Sequence, residues 1–253
     1  MSDIRVVPGQ TLAMSVSASR AREWRHSRDA RNDRVVRARR AMTSTARALD
    51  ASASATRKKR MLALHGKGGN AASFARHLAP LVERTSTAWE WHFAEGAFVE
   101  PNPGGRGWWA LRPGERTYSA AELPGASDSV RLVRESGPWD GVFGFSQGAM
   151  LAALVCGEDD ACVAECAVLV GSAWPTCVAQ NLECMERRER SDVSARSLHV
   201  IGATDAINPP EQARRVAKAF GARAEVFQHK GGHVVPLDET AMNEYVRFLM
   251  LES

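Results

Sequence analysis

The segment GVFGFSQGAM, residues 141–150, sets one serine between two glycines where one apolar run ends and another begins. In Gly144-Phe145-Ser146-Gln147-Gly148 the residue types suit a turn that exposes a nucleophile. The glycines let the backbone pass closely, and a helix starting just after the serine would aim free N–H groups at developing negative charge. The competing reading is a tight turn that happens to contain a serine. A hydroxyl is a weak nucleophile by itself, so the first reading needs a base to take its proton and a third group to orient that base.

Seven histidines are available as the base. His26 lies in the basic N-terminal segment, His77 on a helix, and His92 and His199 inside strands. His65, in HGKGGN, is placed to support its own loop. His233 sits in KGGHVVP, a glycine-loosened loop just after the run AEVFQH, and is the expected base; His229, which ends that run, stays open as the alternative. For the acid, Asp205 follows the run LHVIG in the loop GATDAINP. Asp128, Asp140 and Asp192 fall at no parallel strand end, and Asp238 suits the cap of the last helix. The order along the chain is therefore Ser146, Asp205, His233. An oxyanion would need two backbone donors. The Gln147 N–H is one, and HGKGGN supplies the other from the Lys67 N–H, with the Gly68 N–H as the alternative. HGKGGN lacks the Gly-Lys-Ser/Thr ending of a phosphate-cradling loop.

These residues have to be positioned by strands and helices in alternation. MLALHG, TAWEWHF, WDGVFGF, ECAVLVG, RSLHVIGA and AEVFQH read as six strands. Between them, Phe74, Leu78, Leu81 and Val82 recur at helical spacing after Asn70, a possible cap, and a short helix is expected near 127–136. AMLAALVCG is a third helix, and a fourth, capped by Asn208-Pro209, carries Ala213, Val216, Ala217 and Phe220. A last helix carries Met242, Tyr245, Val246 and Leu249. Such alternation predicts a doubly wound, mainly parallel α/β sheet of about six strands, with its working residues at the carboxyl ends of the strands. Two long stretches, 95–125 and 172–195, read as irregular and are expected to overhang that rim.

The 253-residue chain is long enough for one domain with a substantial core, here expected over 58–253. Its net charge of +4 hides a split: residues 1–60 hold fifteen Lys/Arg against five Asp/Glu, and the remainder eighteen against twenty-four. Residues 1–57, rich in Arg, Ser and Ala, read as an arm with too little apolar surface to order itself. It suits an organelle transit peptide, an anionic-partner arm, or a plain solvated tail. No run of ~18 uninterrupted apolar residues predicts a transmembrane segment. Five cysteines, an odd number in or near apolar segments, favour reduced thiols in a cytoplasmic or organellar compartment. Cys162 and Cys166 lack a CxxC partner or a matching histidine pair, so no metal is expected.

The segments LALHGKGGN, PGGRGWW, WDGVFGFSQGAM, IGATDAINPP and GGHVVP together resemble the FSH family of serine hydrolases over about residues 59–251. The resemblance implies an α/β-hydrolase fold and hydrolysis of a small-molecule carboxylic ester or thioester. It supports Ser146, Asp205 and His233 in the roles derived above, and it implies no cofactor. The lysine of HGKGG departs from the family pattern, which bears on the local electrostatics. Trp108 and Trp109 either line an acyl pocket or pack their loop onto the sheet. Arg106 beside them would meet an acidic head group or a surface carboxylate. No nucleic acid is expected to bind the folded domain, and the sequence does not define an oligomeric state. A hydrolase-like fold that binds a ligand or partner with little turnover is the rival reading.

Overall fold

The computed structural model describes residues 57–157, 164–187 and 195–251. The basic arm, together with Cys162 and Asp192, falls outside the described residues. The strands are β1 (Lys59–Leu64), β2 (Trp89–Ala94), β3 (Phe98–Val99), β4 (Arg106–Gly107), β5 (Gly141–Phe145), β6 (Cys166–Val170), β7 (Arg196–Gly202) and β8 (Ala224–His229). The helices are α1 (Ala71–Thr85), α2 (Ala126–Glu135), α3 (Gln147–Gly157), α4 (Gln180–Arg187), α5 (Pro210–Phe220) and α6 (Glu239–Met250). Six strands form one sheet in the order β2-β1-β5-β6-β7-β8, and every neighbouring pair is parallel. This is the expected doubly wound sheet.

The central strands are apolar along their whole length because both faces are covered. Every residue of β6, CAVLV, is buried. Alternate residues serve opposite layers. Leu62, Leu64, Val142 and Leu169 face a core completed by α2, α3, α4 and α5. Met61, Phe143, Val168 and Val200 face one completed by α1 and α6. In α1, the buried residues Phe74, Leu78 and Leu81 follow helical spacing, and each such side chain favours the fold by about 1.5–3 kcal/mol. Asn70 starts that helix with a capping box: its side chain accepts from Ser73 N–H at 2.7 Å, and its own N–H donates to Ser73 Oγ at 3.1 Å.

The chain leaves β1 towards β2 and returns to the other side of β1 at β5. Strand order therefore reverses between β1 and β5, and the crevice at their carboxyl ends is where such a sheet places its ligand. Ser146 and Lys67 follow these two strands.

Three sequence expectations differ from the structure. The stretch 95–125 carries the hairpin β3–β4, whose two-residue strands are too short to show an alternating pattern. The stretch 172–195 carries α4. Asn208 does not cap α5. Pro209 occupies the cap position, while the Asn208 side chain donates to Gly171 O at 2.7 Å. Among the described residues, no helix is long and apolar enough to cross a membrane.

Candidate active site

Strand β5 gives way to α3 through a single residue. Ser146 has φ 54°, the one positive φ at a non-glycine position among the described residues. That strain turns the side chain out of the sheet. The turn is tied down on both sides, with Ser146 N–H donating to Val170 O at 2.9 Å and Met150 N–H to Ser146 O at 3.0 Å. Two glycines make the crossing possible. A Cβ on Gly144 would lie 2.6 Å from the Ala149 backbone, and one on Gly148 would run into the Leu64 carbonyl. Helix α3 is buried on all sides, so its amino end is fixed against the ends of β1 and β5.

Asp205 and His233 come from the loops after β7 and β8. Asp205 Oδ1 accepts from the N–H groups of Ile207 and Asn208 at 2.9 and 2.8 Å, which locks the carboxylate in an Asx turn. Its other oxygen lies 2.7 Å from His233 Nδ1. A carboxylate only accepts, so Nδ1 carries the proton, and Nε2 is left to accept from Ser146 Oγ at 2.8 Å. The His233 ring packs on Phe145 with centroids 4.9 Å apart. Gly171, with φ 57°, lies beneath: a Cβ there would stand 3.2 Å from His233 Cε1 and Nδ1. The structure thus brings Ser146, Asp205 and His233 together. His229, the alternative base, accepts from Gly231 N–H at 3.2 Å. Asp238 accepts from Thr240 and Ala241 N–H groups at the start of α6.

The loop after β1 is held by the β3–β4 hairpin. Gly68 N–H donates to Arg106 O at 2.8 Å, and Arg106 N–H to Gly69 O at 2.7 Å. Asn102 Nδ2 reaches Gly68 O at 2.8 Å. Of the two candidate donors in HGKGGN, the Gly68 N–H is already engaged. Among the described residues no carbonyl accepts from the N–H of Lys67 or of Gln147. His65 supports the loop as a neutral ring: Nδ1 donates to Gly66 O at 2.8 Å, and Nε2 accepts from Gly96 N–H at 3.0 Å. Burial pushes its pKa below the ordinary imidazole value.

Trp108 and Trp109 lie away from the cleft, wholly buried in the core. Polar bonds hold them there. Gln147 Oε1 accepts from Trp108 N–H at 2.7 Å, and its Nε2 donates to Trp109 O at 3.1 Å. Trp108 Nε1 donates to His65 O at 2.8 Å. The Gln147 side chain therefore joins the start of α3 to the Trp loop. Arg106 meets a carboxylate of its own chain, Glu95, at 3.4 Å.

The cleft holds residues that sequence reasoning missed. Ser146, Gln147 and His233 border a cavity of about 420 Å³, together with Glu100, Asn102 and Asn208. Glu100 Oε2 lies 2.8 Å from Lys67 Nζ, which accounts for the unusual lysine. No motif marks Glu100, because its position depends on the hairpin. A second cavity of about 300 Å³ has apolar walls from Phe74, Phe145, Val234 and Val235 and also reaches His233. Among the described residues, no group of three or more His, Cys, Asp or Glu could hold a metal ion. Cys166 is buried, and burial raises its thiol pKa to about 12.

A profile of the serine hydrolase (FSH1) family matches residues 54–245. Esterase GA18864 of Drosophila pseudoobscura pseudoobscura is 32% identical over 76% of this chain and 71% of its own length. Human esterase OVCA2 is 33% identical over 57% of this chain and 67% of its own. Among solved structures, esterase PE8 superposes with a TM-score of 0.59 at 19% identity, covering 76% of this chain and 92% of its own.

Proposed function

Because the chain belongs to the serine hydrolase (FSH1) family, we propose that it cleaves carboxylic esters or thioesters through an acyl group carried on Ser146. The observation that carries this reading is the continuous relay from Asp205 Oδ2 to His233 Nδ1 at 2.7 Å and from His233 Nε2 to Ser146 Oγ at 2.8 Å. Ser146 Oγ attacks the acyl carbonyl carbon while its proton passes to His233 Nε2. Asp205 holds the ring in the tautomer that can receive that proton and stabilises the imidazolium. The carbonyl oxygen, now an oxyanion, rests on the N–H groups of Gln147 and Lys67 at the amino end of α3.

Collapse of that intermediate breaks the bond to the leaving oxygen or sulfur, which takes the proton from His233. Water then enters, gives its proton to the same nitrogen and attacks the acyl carbon. The acid departs and Ser146 Oγ recovers its proton. Every proton moves through His233, so the cycle needs no further titrating group.

The test is the steady-state hydrolysis of p-nitrophenyl esters by the protein and its Ser146→Ala variant. A fall in kcat of about 10⁴ or more is expected. A loss of only a few fold would overturn the assignment of Ser146.

A further inference from the structure

The cavity of about 420 Å³ that Ser146 borders carries two cations and two carboxylates in its walls, Lys67, Arg116, Glu100 and Glu115. Three of these are engaged with the protein itself. Lys67 Nζ and Glu100 Oε2 meet at 2.8 Å. Glu115 Oε2 accepts from Arg112 N–H at 3.0 Å. The amide side chains of the wall are spent in the same way. Asn102 Nδ2 donates to Gly68 O, Asn208 Nδ2 to Gly171 O, and Gln147 Nε2 to Trp109 O.

Arg116 is the exception. Among the described residues its guanidinium has neither an ion-pair partner nor a hydrogen-bond acceptor, and neither Glu100 nor Glu115 pairs with it. Elsewhere Arg84, Arg106, Arg112, Arg131 and Arg247 each lie within 3.4 Å of a carboxylate. The backbone of Arg116, by contrast, is fixed. Its carbonyl accepts from Ser119 N–H at 3.0 Å and from Ala120 N–H at 2.9 Å. The next residue, Thr117, is buried, and its Oγ1 accepts from Trp109 Nε1 at 3.4 Å. A guanidinium offers donors only, in a planar fork that matches a carboxylate. Where the carboxylates of the wall are already engaged, the complement of this group is an anion brought by the substrate.

We propose that Arg116 is a specificity-determining residue, and that the substrates are esters or thioesters carrying a second, free carboxylate which this guanidinium holds while Ser146 attacks. The proposal rests on the hydrolase reading above. It requires the carboxylate to lie in the cavity that Ser146 borders, whether it belongs to the acyl group or to the leaving group. A space of about 420 Å³ suits a chain of several carbons between the two groups. Arg116 is exposed, so solvent screens part of the attraction, which should weaken as salt is added.

The experiment measures kcat/KM for two series of esters, each comparing a terminal carboxylate with its neutral carboxamide. In one series the group ends the acyl chain of a methyl ester, from succinate to suberate. In the other it ends the alcohol of an acetate ester, from hydroxybutanoate to hydroxyoctanoate. In at least one series the carboxylate should be favoured about tenfold at low salt, and less in concentrated NaCl. That carboxylate-to-amide ratio should fall to about one in Arg116→Gln and be partly kept in Arg116→Lys. A ratio of one or below throughout both series in the parent, while a fluorophosphonate still labels Ser146, would overturn the anionic substrate class and leave the hydrolase reading standing. An unchanged ratio in Arg116→Gln would overturn Arg116 as the group that reads the carboxylate. Failure to label or to hydrolyse any ester would remove the hydrolase reading and this specificity with it.

Discussion

Lys67 Nζ lies 2.8 Å from Glu100 Oε2, and the Glu100 side chain is only 9% exposed at the wall of the cavity that holds Ser146. The ion pair fastens the side chain of one proposed oxyanion donor to the β3–β4 hairpin, while that hairpin fastens Gly68 and Gly69 through backbone bonds. Because the proposed donor is the Lys67 N–H, its side chain is left to act as a strut.

Loosening that strut should affect the transition state more than substrate binding. Glu100→Gln is expected to lower kcat by about tenfold with KM little changed, as for a donor displaced from a developing oxyanion. Lys67→Met should do the same and also lower stability by roughly 1–2 kcal/mol, since it strands a nearly buried carboxylate beside a solvent-screened site. The double variant should be no slower than either single one. Steady-state kinetics of the three proteins check this; additive losses would count against a shared role.

The Gln147 side chain makes a second prediction. Removing it in Gln147→Ala leaves the buried Trp108 N–H and Trp109 carbonyl without their partner. An unfolding free energy lower by roughly 2–4 kcal/mol is expected in urea titrations. Gln147→Glu keeps an acceptor for Trp108 N–H but sets a buried carboxylate oxygen against Trp109 O, and should lose at least as much.

A third concerns acid stability. His199 is fully buried, its Nε2 3.0 Å from Ser197 Oγ, and burial pushes its pKa down to about 3. The folded state therefore resists protonating this ring, whereas the unfolded chain protonates it below the ordinary imidazole pKa of about 6.5. Stability attached to His199 is intact above about 6.5 and is lost as pH falls from there towards 3. Between pH 7 and pH 5 the loss is roughly 2 kcal/mol. His65, whose pKa burial also lowers, acts in the same direction. Urea titrations at the two pH values should show a smaller difference in His199→Leu than in the parent.

Much of this was legible in the chain because the sheet speaks through local pattern. The run ECAVLVG reads as a strand, and the structure buries CAVLV on both faces; Phe74, Leu78 and Leu81 after Asn70, a possible cap, read as the helix that the structure caps there and packs on one side. The trio Ser146, Asp205 and His233 was reached from the places where such runs stop. What stayed hidden depends on contacts far apart in sequence. The hairpin strands are two residues each, and Glu100 matters only because β3 brings it to Lys67. The Trp pair left pocket and packing open, since the deciding bonds come from Gln147 and His65. Asn208 before proline resembles a helix cap, but Gly171, whose carbonyl it reaches, lies on another strand end.

The central claim is that His233 and Asp205 activate Ser146. Its most direct test is the intact mass of the protein after exposure to a fluorophosphonate, followed by peptide mapping. One adduct on the parent, located on Ser146, none on Ser146→Ala and greatly slowed labelling of His233→Ala are the predicted results. A folded parent that stays unmodified, or a Ser146→Ala variant that labels as readily, would contradict the account.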